Sequence, residues 1–343
     1  MTETPFTDQE IELLLSTPTP GTIATVRDLP GDFMVLGVGG KMGTTTAIML
    51  RRALDAAGRK NTLVTGVSRF SRAEARADLE RAGVRTISCD LVDRKQVAML
   101  PTPINILFLA GQKFGTDDAP ELTWIQNTFV PALVAQHFRE SRIVVFSTGC
   151  VYPFVSTDGT GATEKEPVAF LGEYASSCVG RERVFTHFSK QFGTHQLIYR
   201  LNYSVELRYG VLVDIALKVK QGQPVDLTTG WLNCIWQGDA CARAIQSLAH
   251  TASPPKILNI TGPEKLRIRT VAEQFGQRFN RPPVFTGEEA PTAWLADASE
   301  SIRLFGPPEM SVEKMIDLIA SYVGKSGRLL GKPTHFETRS GKF

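Results

Sequence analysis

The stretch DFMVLGVGGKMGTTTAIM, residues 32–49, decides the fold of this chain. It begins with a short apolar run, residues 33–36, which has the length and the side chains of a buried parallel strand. A glycine turn, GVGGKMG, follows directly, and residues 44–57 continue with helical periodicity. Glycines let a backbone approach a phosphate closely, and the free N–H groups at a helix start face negative charge. The stretch therefore predicts a dinucleotide phosphate site, and the alternative is an ordinary tight turn between strand and helix.

Composition restricts the classes of protein to which the chain can belong. Its 343 residues are 42% hydrophobic, which suits one large α/β unit with a smaller satellite. The net charge is only +3, and the sequence has no basic stripe. Nothing therefore indicates a nucleic-acid or membrane-surface partner. Five cysteines without a CxxC pair favour reduced thiols in a cytoplasm over disulfides or a zinc site, and the histidines lack metal-ligand spacing. We expect no signal peptide and no membrane span.

Strand and helix patterns alternate after the opening stretch. Further strands are predicted at residues 62–67, 84–89, 105–109, 143–147, 196–201 and 256–260, and helices at 71–82, 122–140, 174–189, 211–221, 240–250, 270–280 and 312–323. Such alternation predicts an α/β fold with a parallel, doubly wound, Rossmann-type sheet.

Three regions follow from this pattern. Residues 1–31 form an N-terminal extension, in which a capping box from Thr7 to Glu10 opens a short helix that covers a sheet edge or a partner subunit. Residues 32–202 form the dinucleotide-binding domain. Residues 203–343 are mainly a smaller substrate-binding lobe, with some segments returning to the sheet.

Polar residues stand where the second and third strands end. A site that prefers NAD usually has an acid after the second strand, whereas this chain offers Ser68 and Arg69, which suit a 2′-phosphate. The alternative for Arg69 is a solvated loop arginine. We favour NADP without excluding NAD. After the third strand, Asp90 is placed to accept a hydrogen bond from an adenine amino group, while Asp93 alternatively caps a helix.

Hydroxyl groups follow the fifth strand. Ser147 and Thr148 stand at its carboxyl edge, where they can polarise a carbonyl or hydroxyl group of a substrate. A helix begins about twenty residues later with Tyr174, which can transfer a proton.

These motifs together resemble an extended short-chain dehydrogenase/reductase of the NAD-dependent epimerase/dehydratase family, over about residues 32 to 325. The residues that carry the resemblance are Gly37-x-x-Gly40-x-x-Gly43, Asp90-Leu91-x-Asp93, Ser147-Thr148-x-x-Val151-Tyr152, Tyr174 with Glu182, Arg200-x-Asn202, Asp239 with Ala242-Arg243-Ala244, and Leu258-Asn259-Ile260-Thr261-Gly262. The resemblance implies hydride exchange between NAD(P) and a substrate, with Thr148 holding the substrate oxygen and Tyr174 as acid/base. It also implies a homodimer.

The same resemblance implies the contacts of the cofactor and substrate. The expected cofactor contacts are Gly37, Gly39, Gly40, Lys41, Met42, Gly43, Ser68, Arg69, Asp90, Leu91, Ala110, Gly111 and Tyr174. The expected substrate contacts are Thr148, Asn202 and Asn233.

The chain departs from the family's Tyr-x-x-x-Lys motif, because Cys178 stands where the lysine belongs. The lysine holds the nicotinamide ribose and lowers the pKa of the tyrosine, whereas a neutral thiol does neither and a thiolate raises that pKa. Arg181, seven residues after Tyr174, lies on the same helical face and can partly replace the charge. The alternative for Arg181 is an ordinary surface arginine.

A second departure concerns the substrate. Nucleotide-sugar members of the family usually carry an arginine that clamps the diphosphate, and Asn233 occupies that place here. A free sugar, a sugar acid or a similar polyhydroxy compound therefore fits better. Trp231 and Trp236 can stack on a sugar, although packing is the alternative.

The sequence thus predicts a cytoplasmic NAD(P)-dependent oxidoreductase or epimerase that acts on a small carbohydrate-like substrate. The rival hypothesis is a catalytically silent NAD(P)-binding sensor or regulatory protein, which Cys178 supports.

Overall fold

The computed structural model describes residues 6–71, 73–113, 115, 118–332 and 334–341. Its central sheet has seven parallel strands: β1 Phe33–Leu36, β2 Val64–Ser68, β3 Arg85–Ser88, β4 Asn105–Phe108, β5 Arg142–Thr148, β6 Gln196–Leu201 and β7 Lys256–Ile260. The predicted strands agree with these within two residues at each end. The predicted Rossmann-type α/β fold is confirmed.

Helices cover the sheet and build the C-terminal part of the chain. They are α1 Asp8–Leu15, α2 Pro20–Asp28, α3 Lys41–Ala56, α4 Ala73–Arg81, α5 Arg94–Ala98, α6 Pro120–Trp124, α7 Val130–His137, α8 Gly172–Phe192, α9 Val211–Gln221, α10 Gln237–Gln246, α11 Ile268–Phe279, α12 Ser299–Phe305 and α13 Val312–Gly324. A π-helical turn, Ile125–Phe129, joins α6 to α7, and 3₁₀ turns span Gly149–Val151 and Ser247–His250. None of the helices in the described part of the chain is long and apolar enough to cross a membrane.

Short strand pairs complete the structure outside the sheet. Trp231–Leu232 pairs antiparallel with Leu266–Arg267, and Thr292–Ala293 pairs antiparallel with Val155–Ser156. Ile235–Trp236 pairs parallel with Ser204–Val205, and Val284–Thr286 pairs parallel with Pro224–Asp226.

The order of the strands creates a crevice at the centre of the sheet. Across the sheet the order is β7-β6-β5-β4-β1-β2-β3, so β4 lies beside β1. The chain first runs outward from β1 to β3 and then returns to begin β4. Ligands of open α/β sheets bind at the carboxyl ends of the strands, at such a reversal. The glycine turn after β1 therefore lies at the point where this topology forms a binding crevice.

Burial on both faces explains why β1 is a continuous apolar run. Phe33 and Val35 belong to the core on one face of the sheet, whereas Met34 and Leu36 belong to the core on the other. All four are at most 1% exposed. A strand covered by helices on both faces has no polar side, because successive side chains point to opposite faces.

The N-terminal extension packs on the molecule's own core. Thr7 and Glu10 form the predicted capping box at the start of α1. Ile11 and Leu15 of this helix belong to a core cluster that is otherwise built from the C-terminal part of the chain. The extension continues as α2, which the sequence analysis did not predict although Thr19 caps it and Pro20 begins it. Helix α1 therefore packs on the C-terminal core, whereas Val26 of α2 belongs to the core on one face of the central sheet.

The helix predicted over residues 122–140 is divided into three segments. Pro131 lies in the first turn of α7, directly after the π-helical turn. Proline lacks an N–H group, and its ring collides with the carbonyl group one turn earlier, so a regular α-helix cannot continue through it. The predicted kink is thus realised as a π-helical turn, a feature that often marks functional positions.

The carboxyl group of Glu12 in α1 is buried where the N-terminal extension contacts Thr45 of α3, and this contact can be tested. Thr45 Oγ1 donates to its Oε2 at 3.3 Å, while its Oε1 is buried without a hydrogen-bond partner among the described residues. Burial raises the pKa of this carboxyl group to about 7, from an ordinary value of 4.5. The folded state therefore holds a proton that the unfolded chain releases, and stability falls as the pH rises from about 4.5 to about 7.

We expect Glu12→Gln to remove this dependence. The variant should be more stable than the wild type at pH 8, by on the order of 1–3 kcal/mol, and should differ little from it at pH 4.5. Urea unfolding at the two pH values measures the difference. Glu288→Gln, at an exposed position, is the matched control and should leave the pH dependence unchanged. An equal effect of Glu12→Gln at both pH values would contradict the assignment.

Candidate cofactor and active site

The glycine turn after β1 is closely packed against neighbouring backbone. Gly37 has a positive φ of +88°, and a Cβ atom there would lie 2.6 Å from the Ala110 nitrogen. A Cβ atom on Gly43 would lie 2.5 Å from the carbonyl oxygen of Gly37. Helix α3 begins after Gly40, whose N–H group donates to the Gly37 carbonyl at 3.1 Å. The turn is therefore held tightly against β4, and the first N–H groups of α3 are directed at the crevice.

This turn fits a dinucleotide diphosphate. Side chains are excluded at Gly37 and Gly43, so the backbone itself forms the wall of the crevice between β1 and β4. The first four N–H groups of a helix have no partner within the helix and carry its partial positive charge. A diphosphate supplies both the acceptors and the negative charge that this surface lacks.

The remaining predicted cofactor contacts lie around the same crevice. Ser68 ends β2 and its Oγ lies against Gly39, where an added Cβ atom would approach it to 2.6 Å. Arg69 is exposed directly beside it. Asp90 lies after β3 and accepts from the Val92 N–H group at 3.1 Å. Two other predicted contacts are more deeply packed: Leu91 is a core residue at 7% exposure, and Met42 packs against the core beneath α3.

Asp93 has the capping role that the sequence left as the alternative. Its carboxylate accepts from the N–H groups of Lys95 and Gln96 at the start of α5.

Thr148 and Tyr174 form the centre of the candidate active site. Thr148 ends β5, Tyr174 lies in the first turn of α8, and their side chains are hydrogen-bonded to each other. The Thr148 Oγ1 also accepts from the Cys150 N–H group at 3.1 Å. The fold thus brings together two hydroxyl groups that are 26 residues apart in the chain, at the sheet edge that forms the crevice.

Cys178 does not act on Tyr174 as a cation would. Its side chain is fully buried one turn after Tyr174. Burial raises the pKa of the Cys178 thiol to about 11, so the thiol is neutral at physiological pH. The pKa of Tyr174 is well above its ordinary value of 10, first because the hydroxyl group is buried and then because of the nearby thiols of Cys178 and Cys150. The charge of Arg181 acts in the opposite direction.

Arg181 is a buried residue, and the surface alternative for it is wrong. It is 6% exposed, and its Nη1 donates to the carbonyl oxygen of Phe146 in β5 at 2.8 Å. Its Nη2 donates to Asn127 Oδ1, while its Nε is buried without a hydrogen-bond partner among the described residues. The guanidinium group lies against Gly111, where an added Cβ atom would collide with it. A fixed positive charge therefore stands between Tyr174 and the backbone that follows β4.

Asn127 is the site residue that the sequence analysis missed. It lies in the π-helical turn and is fully buried. Its Oδ1 accepts from the Gln112 N–H group at 2.9 Å, and its Nδ2 donates to the Gln112 carbonyl at 2.8 Å and to Ser177 Oγ at 3.0 Å. One side chain thus connects the loop after β4, helix α8 and Arg181. The signal available in the sequence was a lone asparagine within an apolar helix, which packing alone does not explain.

Several residues that carry the resemblance form one buried network beneath the site. Glu182 accepts from Ser147 Oγ at 2.5 Å and from Arg200 Nε and Nη2 at 2.9 and 2.6 Å. Arg200 Nη1 donates to the Tyr152 hydroxyl at 2.8 Å, and that hydroxyl donates to Asn259 Oδ1 at 2.7 Å. Because the network joins α8 to β5, β6 and β7, it positions the helix that carries Tyr174.

Asn202 and Asn233 lie together at the other side of Thr148. Asn202 Nδ2 donates to Asn233 Oδ1 at 2.8 Å, and Asn233 Nδ2 donates to the Ala296 carbonyl at 2.6 Å. Both are 3% exposed, and Asn202 packs against Gly149 in the loop after β5. Their amides hold the loop around residues 294–296 against the site.

The two tryptophans have different surroundings. Trp236 is 3% exposed within the C-terminal core, so the packing alternative is confirmed for it. Trp231 is partly buried, and the amine of Lys265 lies 5.1 Å from its ring centroid.

Comparisons with known proteins agree with this fold. No protein-family model and no curated protein sequence matches the chain. Among solved structures, the UDP-glucose 4-epimerase of Thermotoga maritima, with UDP-glucose, superposes with a TM-score of 0.70 at 15% identity, covering 86% of this chain and 99% of that one. The UDP-glucose 4-epimerase of Thermus thermophilus, in complex with NAD, gives 0.68 at 18% identity, covering 85% and 98%.

A dehydratase is equally similar. A double mutant of the dTDP-glucose 4,6-dehydratase of Streptomyces venezuelae, with NAD bound, has a TM-score of 0.70 at 18% identity, covering 85% of this chain and 96% of that one. The chain therefore has the fold of the extended short-chain dehydrogenases/reductases of the NAD-dependent epimerase/dehydratase family, as its sequence motifs predict.

Proposed function

We propose that this protein is an NAD(P)-dependent oxidoreductase or epimerase that acts on a carbohydrate-like substrate. The observation that carries the proposal is the hydrogen-bonded pair of Thr148 and Tyr174 at the carboxyl edge of the sheet. The pair lies on the same edge as a glycine turn whose backbone fits a diphosphate. A cofactor site and an acid/base group on one sheet edge are what hydride exchange requires.

Each residue of the centre has a distinct task in this proposal. A bound nicotinamide supplies the hydride acceptor and donor. Thr148 Oγ1 orients the reacting oxygen of the substrate, and the Tyr174 hydroxyl gives or takes its proton. Arg181 supplies the positive charge that the absent lysine provides in the family, and Asn127 holds Arg181 in place. Cys178 remains a neutral packing residue.

The cofactor is NADP in this proposal, with NAD as the alternative. Ser68 is the last residue of β2 and the exposed Arg69 follows it, at the place where the adenosine ribose would lie. A guanidinium group there suits a 2′-phosphate. We therefore expect Arg69→Ala to weaken NADP⁺ binding by about tenfold and to leave NAD⁺ binding nearly unchanged. Structurally similar epimerases and dehydratases are described with NAD, so both nucleotides are to be measured.

The substrate we propose is a sugar, a sugar acid or a related polyhydroxy compound. Asn202 packs against Gly149, the residue after Thr148, and its amide is hydrogen-bonded to Asn233. The similar structures named above act on UDP-glucose or dTDP-glucose, so nucleotide sugars belong in the test. Asn233 stands where the family's arginine belongs, and its amide is already bonded to Asn202 and to the Ala296 carbonyl. The absence of a guanidinium group at this position favours a substrate without a diphosphate.

Turnover tests the proposal directly. The protein is incubated with NADP⁺ or NAD⁺ and a panel of sugars, sugar acids, lactones and nucleotide sugars, and nicotinamide absorbance is followed. Because an epimerase that recycles bound cofactor gives no net absorbance change, products are also analysed by NMR. We expect conversion of at least one substrate. Tight cofactor binding without conversion of any substrate would instead indicate a silent NAD(P)-binding protein, in which the neutral thiol of Cys178 marks the lost function.

We further propose that the protein is a cytoplasmic homodimer. Leu122, Ile125 and Phe129 are 36–51% exposed, and their spacing places them on one side of the helical stretch from α6 to α7. Trp124 beside them donates from its Nε1 to Glu173 of α8 at 2.6 Å, so the apolar surface continues toward the helix that carries Tyr174. A second copy of the chain is the occupant with a matching apolar surface.

Ile125→Glu combined with Phe129→Glu should therefore convert the dimer to a monomer. Sedimentation velocity measures the change. Met99→Glu, at a position that is 84% exposed elsewhere on the surface, is the control and should remain dimeric. A wild type that sediments as a monomer would reject the proposed dimer.

A further inference from the structure

The side chain of Lys41, one of the expected cofactor contacts, ends in a buried amine to which the proposed chemistry has so far assigned no role. The residue is only partly buried as a whole, yet its Nζ is enclosed and has no hydrogen-bond partner among the described residues. It lies 3.8 Å from the ring centroid of Tyr209, in the C-terminal part of the chain. Enclosing an ammonium group without a hydrogen bond is costly, so an acceptor that is present in the working protein is the expected explanation.

The position of Lys41 indicates what that acceptor is. Lys41 is the first residue of α3, directly after the glycine turn, so its side chain begins at the edge of the crevice between β1 and β4. A lysine at a helix N-terminus opposes the helix dipole and is unfavourable there unless an anion is also present. A diphosphate held by the N–H groups of α3 would lie within reach of this side chain.

The charged groups around Lys41 favour an anion as well. The groups that face its amine are Glu206 and Arg208 before α9, Lys113 after β4 and Cys241 of α10. Glu206 is fully buried and is already bound by Arg208, whose backbone N–H and Nε donate to it at 3.0 and 3.2 Å. The carboxylate that faces Lys41 is therefore already engaged by another cation.

We propose that Lys41 Nζ is a ligand for the diphosphate group of a bound nucleotide. In the free protein the amine packs on the Tyr209 ring, and in the complex it donates to a diphosphate oxygen. The inference rests on the proposed function for the identity of the nucleotide, which is either the cofactor or a nucleotide-sugar substrate. The chemistry that Lys41 recognises is the same in both cases.

A pH dependence of binding follows from this arrangement. Burial lowers the pKa of the Lys41 amine to about 7 in the free protein. An anion beside it favours the charged form and raises that pKa. Binding above pH 7 must then be accompanied by proton uptake, and the affinity must fall as the pH rises above about 7.

Calorimetric titration of the full chain tests the proposal. Wild type, Lys41→Met, Lys41→Arg and the control Lys60→Met, at an exposed position, are titrated with NADP⁺, NAD⁺, UDP-glucose and inorganic pyrophosphate. Titrations at pH 6.5 and 8.5, in buffers of different ionisation enthalpy, report the protons taken up. Thermal unfolding checks that Lys41→Met is folded, and we expect it to be at least as stable as the wild type because it removes an enclosed amine.

Lys41→Met is expected to weaken diphosphate binding by about 10- to 100-fold at pH 6.5 and to abolish proton uptake. Weaker binding of NADP⁺ or NAD⁺ identifies the cofactor as the source of the diphosphate, and an effect confined to UDP-glucose identifies the substrate. Lys41→Arg should keep the affinity and lose the pH dependence. Unchanged affinity and proton uptake in Lys41→Met would overturn the proposal. A wild type that binds pyrophosphate through Lys41 but no nicotinamide nucleotide would instead overturn the proposed function alone.

Discussion

Tyr174→Phe is expected to lower turnover by about 10²- to 10⁴-fold, because it removes the hydroxyl group that we propose to move the substrate proton. The aromatic ring is retained, so packing at the start of α8 is preserved. Tyr174 is also an expected cofactor contact, and loss of its hydroxyl group should lower cofactor affinity far less than turnover. Steady-state kinetics and cofactor titration of the same preparation separate the two effects. Full turnover in Tyr174→Phe would show that the proton moves through another group.

The charge of Arg181 is expected to affect how the reaction rate depends on pH. Because the charge of Arg181 opposes the rise in the pKa of Tyr174, its removal should raise that pKa further and move the limb of the rate profile that reports Tyr174 to higher pH. Arg181→Met also removes one donor from Asn127 Oδ1 and one from the Phe146 carbonyl, so it is expected to lose stability. Arg181→Lys keeps the charge and should keep most of the profile.

Arg183→Met is the control for this experiment, because Arg183 lies on the same helix at an exposed position. It should leave both the rate and the pH profile unchanged. If Arg181→Met, shown to be folded, has the profile of the wild type, Arg181 does not substitute for the lysine that Cys178 replaces.

The centre of the sheet could be predicted from the sequence because strands such as β1 and β4 are buried along their whole length. A strand of this kind is a short, mainly apolar run such as residues 33–36, and glycine or polar residues mark the point at which it ends. The same rule located Thr148, since side chains at the carboxyl ends of parallel strands gather at one edge. Tyr174 was predicted at the start of a helix, and its role beside Thr148 was implied by the family resemblance.

The surroundings of these residues could not be predicted, because they depend on contacts between segments far apart in the chain. Helical spacing placed Arg181 on the face of Tyr174 but gave no sign that the side chain is buried against β5. Asn127 is directed at Arg181 by a π-helical turn, and a sequence scan for 3.6-residue periodicity cannot detect the extra residue in such a turn. The contact of Lys41 with Tyr209 likewise joins the glycine turn to a segment 168 positions later, which no local pattern relates.

The glycine turn carries the other large expected effect. Gly43→Ala should strongly weaken cofactor binding and destabilise the fold. An alanine Cβ atom would lie 2.5 Å from the Gly37 carbonyl oxygen and 2.7 Å from the Val38 Cα atom, and both are backbone atoms that cannot rotate away. Helix α3 must therefore move away from β1. We expect a loss of about 1–3 kcal/mol in unfolding free energy and, because a displacement of about 1 Å moves the N–H groups off the diphosphate, a loss of affinity of about 100-fold.

Gly324→Ala is the matched control for this substitution. Gly324 is the last residue of helix α13. A Cβ atom there would meet the Phe279 ring at an ordinary contact distance of 3.8 Å. Alanine in a helix is favoured over glycine by up to about 1 kcal/mol, so this variant should be as stable as the wild type or more so. The higher helix propensity of alanine also favours Gly43→Ala. The measured loss of unfolding free energy in that variant is therefore smaller than the cost of the collision itself. If urea unfolding and cofactor titration show Gly43→Ala to behave like Gly324→Ala, the close approach of α3 to β1 is not required for binding, and the diphosphate must be held by side chains such as Lys41 instead.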